Sequence, residues 1–258
     1  MYYGCKKEIN DNRDYKSYIC NAKQASFPTE YEITMPNVKD QSIVNSCVAY
    51  CLATFLEETH KNENMEFSTG FIYGYRPIGY NQGEGMYPRQ ALKTLLKIGD
   101  VPRSEFDHNK EMPEIKELVD KSLVNLVNLA SKYKINSYSR IHTIQEIKKC
   151  IFNDIPVPIS IPVYNDLAYN PISYIVKMPV GHSDGYHALI IYGYNENGWL
   201  VQNSWGKGWA NQGRAILPYD YPIDSAWAID TDDNNLLTYQ TFWQKIRNFI
   251  TNILNIFK

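Results

Sequence analysis

At 258 residues, 44% of them hydrophobic and 21% charged, the chain is long enough to bury a substantial core, as one large domain or as two lobes sharing a cleft. A net charge of −2 gives no broad electrostatic case for nucleic acid as a partner. No run of about 18 apolar residues is present, so no transmembrane segment is expected, and the first residues carry no apolar stretch of the signal-peptide kind.

Residues 1–25 are polar and charged, and form a candidate N-terminal arm. From Phe27 to Gln41 the prolines Pro28 and Pro36 punctuate an extended approach. The stretch that follows organises the chain. Val48 to Leu56 is apolar or small throughout, without Gly or Pro, which suits a helix buried on most of its faces. Asn45 and Ser46 are short polar residues able to cap its start. Cys47 then falls in the first turn, where free N–H groups and the helix dipole favour an anion, and a thiol there is expected to ionise readily.

Residues 68–75 read as a short helix or turn on the same lobe. Gly83, Gly85, Met86, Tyr87 and Pro88 make a Gly-rich turn feeding an amphipathic helix to Leu96. That turn lacks the glycine spacing and the following Lys-Ser/Thr of a phosphate loop. Pro113 to Tyr133 has helical periodicity, with Pro in the first turn. Thr143 and Glu146 form a capping box opening a helix through Cys150. Ile155 to Val163 is a β-branched run broken by prolines, which suits an edge strand. Residues 164–181 read as a loop that borders the cleft. A strand over residues 184–194 then opens on His187, and residues 198–213 supply its hairpin partner, closing on Asn203, Trp205 and Gly206. In the tail, Trp243, Ile246, Ile250, Ile253 and Phe257 follow a helical spacing, so residues 240–258 are expected to be an amphipathic helix available for self-association or a surface contact.

A single cysteine near the start with a histidine roughly 140 positions later is one arrangement of thiol catalysis. Cys47, His187 and Asn203, with Gln41 shortly before the cysteine, resemble the papain family of cysteine peptidases in order, spacing and flanking residues. The resemblance covers roughly residues 26 to 220, and the arm resembles the short leader of bacterial members. It implies an α+β, papain-like two-lobe fold. A helical lobe over about 45–135 and a β-barrel lobe over about 136–239 would face each other across the active-site cleft.

For the chemistry, the resemblance implies Cys47 as nucleophile, His187 as acid and base, Asn203 as the group orienting the imidazole, and Gln41 as an oxyanion donor. Trp205 would shield the His–Asn pair. Gly85 and Met86 would pair with the substrate main chain in antiparallel fashion. Tyr87 and Pro88 would wall the second specificity pocket, with Tyr186 and Ala188 also in contact with substrate. Met86 stands where the family usually has Gly, which would narrow the groove, and Asn45 replaces a usual Gly and would crowd the first pocket.

The expected partner is a polypeptide substrate; no cofactor and no metal is implied, since His60, His108, His142 and His182 show no ligand spacing. The five cysteines, Cys5, Cys20, Cys47, Cys51 and Cys150, lack paired spacing, and Val44 stands where secreted papains carry a disulfide partner. This fits a reducing, cytoplasmic setting, with export by another route left open. Two readings follow: a thiol endopeptidase with its arm as a candidate inhibitor, or a catalytically silent papain-like scaffold used for binding or assembly.

Overall fold

A computed structural model describes residues 4–9, 11, 26–76, 84–164, 167 and 174–231. In chain order it holds β1 (Tyr31–Glu32), α1 (Cys47–Thr59), α2 (Thr69–Gly74), α3 (Pro88–Lys97), α4 (Glu114–Ala130), β2 (Ser137–Ile141) and α5 (Ile144–Phe152). The strands β3 (Val157–Val163), β4 (Gly185–Asn195), β5 (Gly198–Gln202), β6 (Arg214–Leu217) and β7 (Ser225–Asp230) complete it. The C-terminal helix expected over 240–258 lies outside the described residues. Among the described residues no helix is long and apolar enough to cross a membrane.

Every residue of α1 is buried, from Cys47 to Thr59, as its unbroken apolar run requires. It packs on α2 and α3 on one side and on β3 and β4 on the other, so it is the element shared by both lobes. The polar residues before it do not cap it as the sequence suggests. Ser46 occupies the N-cap position, but its hydroxyl makes no capping bond. The other helix starts follow their signals. Ser68 accepts the Phe71 N–H at 3.0 Å, Pro88 is the first residue of α3, and the Thr143–Glu146 capping box is present in both directions.

The strands form one antiparallel sheet in the order β2-β7-β3-β4-β5-β6, with β1 added to β4. This corrects the edge position expected for β3. It pairs with β4 along its whole length, from Val157↔Ile191 to Val163↔Gly185, and with β7 through Ile159↔Ala226 and Ser160↔Ser225. Pro158 and Pro162 bracket the short β7 contact, so an interior strand tolerates two residues without N–H groups by giving up ladder on one side only. A register shift in β4 between Ile191 and Gly193 separates the end that carries His187 from the end that pairs with β1.

Removing the α5 cap with Thr143→Ala should lower stability by about 1 kcal/mol, read from the urea midpoint, because Thr143 Oγ1 satisfies the Glu146 N–H. The cap lies apart from the cleft, so any thiol reactivity of Cys47 should be unchanged; an unaltered midpoint would count against the cap.

Candidate active site

The two lobes meet where α1 and β4 begin and where β5 ends. His187 is the third residue of β4 and Asn203 directly follows β5, both fully or almost fully buried. The His187 Nε2 lies 2.7 Å from Asn203 Oδ1. That same Oδ1 accepts the Ser204 N–H at 2.7 Å, which identifies it as the carbonyl oxygen of the amide. Nε2 must therefore be the protonated nitrogen in this bond, and Nδ1 is left as the acceptor. Nδ1 has no hydrogen-bond partner among the described residues. Trp205 lies against the imidazole, ring centroids 4.4 Å apart, and is itself met edge-on by Trp209.

Gln41 is buried and tied to the same segment. Its backbone N–H donates to Ser204 O at 2.8 Å, its Oε1 accepts from Ser204 Oγ at 2.7 Å, and its Nε2 donates to Val44 O at 2.8 Å. Ser204 thus locks Gln41 to Asn203 across the lobes, a function that no spacing in the sequence signals. Cys47, at the first position of α1, is completely buried. Its sulfur is approached by the backbone groups of Ala188, Gly4, Val48 and Cys47 itself, which sets it next to the residue that follows His187.

Several of the residues expected to meet substrate are instead in contact with residues 4–9 of the same chain. Residues 4–9 run along the cleft as a strap. Met86 N–H donates to Gly4 O at 2.8 Å, Lys6 N–H donates to Met86 O at 3.0 Å, and Cys5 N–H donates to Tyr186 O at 3.3 Å. The pairing with Met86 is parallel, the reverse of the antiparallel pairing expected for substrate. Cys5 Sγ donates to the buried Ser160 Oγ at 3.2 Å. Lys6 and Lys7 lie over the rings of Tyr87 and Tyr186. The strap is fastened at Glu8, whose carboxylate accepts the Arg89 N–H at the start of α3 at 2.6 Å and meets the Arg89 guanidinium at 3.3 Å. The Met86 side chain belongs to the buried core. Pro88 and Ala188 line one apolar pocket with Val48, Leu92 and Trp227; Tyr87 is not part of that lining.

The electrostatics differ from the sequence expectation. Burial pushes the Cys47 thiol up to about 11, against the opposing pull of its backbone hydrogen bonds. Burial also pushes His187 down to about 4, opposed by its bond to Asn203. Both groups are neutral at pH 7 in this arrangement. The helix N-terminus is present, but desolvation outweighs it.

A family model for papain family cysteine proteases matches residues 25–220. The chain belongs to the papain family of cysteine proteases. Among solved structures it is similar to xylellain, a cysteine protease from Xylella fastidiosa, at 25% identity and a TM-score of 0.77, covering 89% of this chain and 96% of that one. It also shares its fold with the proform of the ragweed pollen cysteine protease Amb a 11, at 19% identity and a TM-score of 0.64, covering 84% of this chain and 69% of that one. An uncharacterized peptidase C1-like protein of Acanthamoeba polyphaga mimivirus is 26% identical over 77% of this chain and 70% of its own length. A cathepsin B-like cysteine proteinase of Haemonchus contortus is 30% identical over 68% of this chain; the chain spans 62% of that relative.

Alkylation of the full-length papain-family chain by iodoacetamide should be slow at Cys47 at neutral pH and rise only towards about pH 11, because the buried state disfavours the thiolate. Peptide mass mapping across a pH series checks this; an inflection at or below pH 7 contradicts it.

Proposed function

We propose that the chain is a cysteine endopeptidase that works through Cys47, His187, Asn203 and Gln41 and is held inactive by residues 4–9. The observation that carries the catalytic part is the Nε2-to-Oδ1 bond between His187 and Asn203, with Nδ1 bare. An imidazole so held can take the proton of a thiol on Nδ1 without changing tautomer on Nε2. Once the cleft is open to water and substrate, the ionised sulfur of Cys47 attacks the peptide carbonyl. His187 gives its proton to the departing amine, leaving a thioester, and then takes a proton from the water that hydrolyses it. The Gln41 carboxamide and the Cys47 N–H stabilise the oxyanion.

The inhibitory part is supported by what the strap offers the sulfur. Gly4 turns a backbone N–H group towards Cys47, while its carbonyl is committed to Met86 N–H. The nucleophile therefore faces no electrophilic carbon, and a chain laid in this direction is not cut. Cys47 and His187 are both fully buried in this closed arrangement, and burial keeps both neutral.

Labelling with a peptidyl epoxide tests both parts. Glu8→Ala should loosen the strap and raise the labelling rate at Cys47 roughly 10–100-fold over the parent, the range for losing a hydrogen bond to a charged group. Equal rates would remove the inhibitory role. In the Glu8→Ala background, Gln41→Ala should lower kcat for peptide hydrolysis roughly 100–1,000-fold. Absence of any adduct or cleavage in that background would favour the silent-scaffold reading instead.

A further inference from the structure

The Glu8 carboxylate rests in a seat that belongs to the cleft wall. Its Oε1 accepts the N–H of Arg89, the second residue of α3, at 2.6 Å, and its Oε2 lies 3.3 Å from the Arg89 guanidinium. Both side chains are mostly buried, Glu8 3% and Arg89 13% exposed. The guanidinium carbon lies 5.4 Å from the centre of the Trp227 ring, so the indole face helps to hold it in place. Two further charges face the seat. Asp224 Oδ2 accepts the Glu8 N–H at 3.1 Å, and the buried Arg140 donates to the Asp224 carbonyl. Burial pushes the Glu8 carboxyl up, opposed by the Arg89 bond and by the charges of Arg89 and Arg140.

The seat adjoins the site of reaction. Val48 and Ala188, which directly follow Cys47 and His187, line an apolar pocket together with Pro88, Leu92 and Trp227. Arg89 follows Pro88 in the chain and lies over Trp227, so it stands just past that pocket, one side chain removed from the residues around the sulfur. The seat is also indifferent to chain direction. A guanidinium and a helix N–H hold a carboxylate by its oxygens, and the backbone pairing with Met86 that gives the strap its parallel run is no part of it.

When residues 4–9 leave the cleft the Glu8 carboxylate goes with them, while Arg89, Arg140 and Asp224 stay in the wall. Of these three, two are cations, and the first turn of α3 favours a further anion beside them. A guanidinium set this deep binds a carboxylate better than the uncharged amide of the same shape, because only the carboxylate gives it a charged acceptor. We infer that the open enzyme selects polypeptides with an acidic side chain at the second or third residue before the bond that is cut, and that Arg89 reads it. This rests on the peptidase reading above. Arg89 takes no part in the covalent steps. Glu8 is then a stand-in for the substrate's acid, carried on a backbone laid opposite to the direction expected of substrate.

The test uses full-length Glu8→Ala protein and matched peptides with Glu or Gln at the second or, separately, the third position before a single cleavable bond. At one of these positions kcat/KM for the Glu peptide should exceed that for the Gln peptide roughly 10–100-fold, the range for a hydrogen bond to a charged group. Adding Arg89→Gln should bring the Glu-to-Gln ratio to within a few-fold of one. Adding Arg89→Lys instead, which keeps the charge and loses the paired donors, should leave an intermediate ratio. Both peptides meet the same protein, so a loss of folded enzyme lowers the two rates together and leaves their ratio intact. Equal cutting of Glu and Gln peptides at both positions by the Glu8→Ala protein would overturn the inference and leave the peptidase reading standing. So would a Glu preference that survives Arg89→Gln undiminished. Failure to cut any peptide, together with no peptidyl-epoxide adduct, would overturn the underlying reading and this inference with it.

Discussion

Two hydrogen bonds converge on one atom, the side-chain oxygen of Asn203. One comes from the backbone of Ser204 and the other from the ring of His187. The first fixes the amide, the fixed amide fixes the imidazole, and the imidazole's Nδ1 is left without a partner among the described residues. Ser204 then extends the arrangement to Gln41 through its backbone carbonyl and hydroxyl. Side chains from the approach to α1 and from the ends of β4 and β5 are thereby held as one unit, although the lobes that carry them fold from separate stretches of chain. The cluster is buried, where an unmade hydrogen bond is costly and a made one is stiff.

The strap uses that stiffness. It takes both backbone groups of Met86 and the carbonyl of Tyr186, the polar edges a peptide in this cleft would need. It runs parallel to Met86, so its direction places an N–H group against the sulfur and keeps its carbonyl away from the reacting centre. Its hold is divided among three backbone bonds, the Cys5–Ser160 bond, two lysine–ring contacts, the Glu8 carboxylate at the start of α3, the Glu8 N–H on Asp224 and the Ile9 carbonyl on Arg89. Burial reverses the outcome the helix dipole alone would give the Cys47 thiol.

Much of the site was legible from the residues because each carries a local signature. Cys47 stands at the head of an apolar run, His187 opens a strand, and Asn203 precedes Ser204, Trp205 and Gly206. The helix opened by the Thr143–Glu146 capping box was legible for the same reason. What was not legible depends on contacts between distant segments. β3 reads as an edge strand because of Pro158 and Pro162, yet it is interior, since β7 asks only two residues of it. Ser46 reads as a cap, but with its hydroxyl unused the helix start is met instead by the sulfur of Cys47. The thiol reads as easily ionised, but burial by residues more than forty positions away in the chain outweighs the helix end. Ser204 carries no spacing pattern at all; its role exists only once the segments it connects are built. The amphipathic pattern of 240–258 lies outside the described residues.

The central claim is the state of one ring, and ¹⁵N NMR of the His187 imidazole in the full-length protein measures it. The account expects a proton on Nε2, none on Nδ1, and a neutral ring from pH 7 down towards about 4. A ring protonated on Nδ1, or doubly protonated at pH 7 with the strap seated, would contradict it.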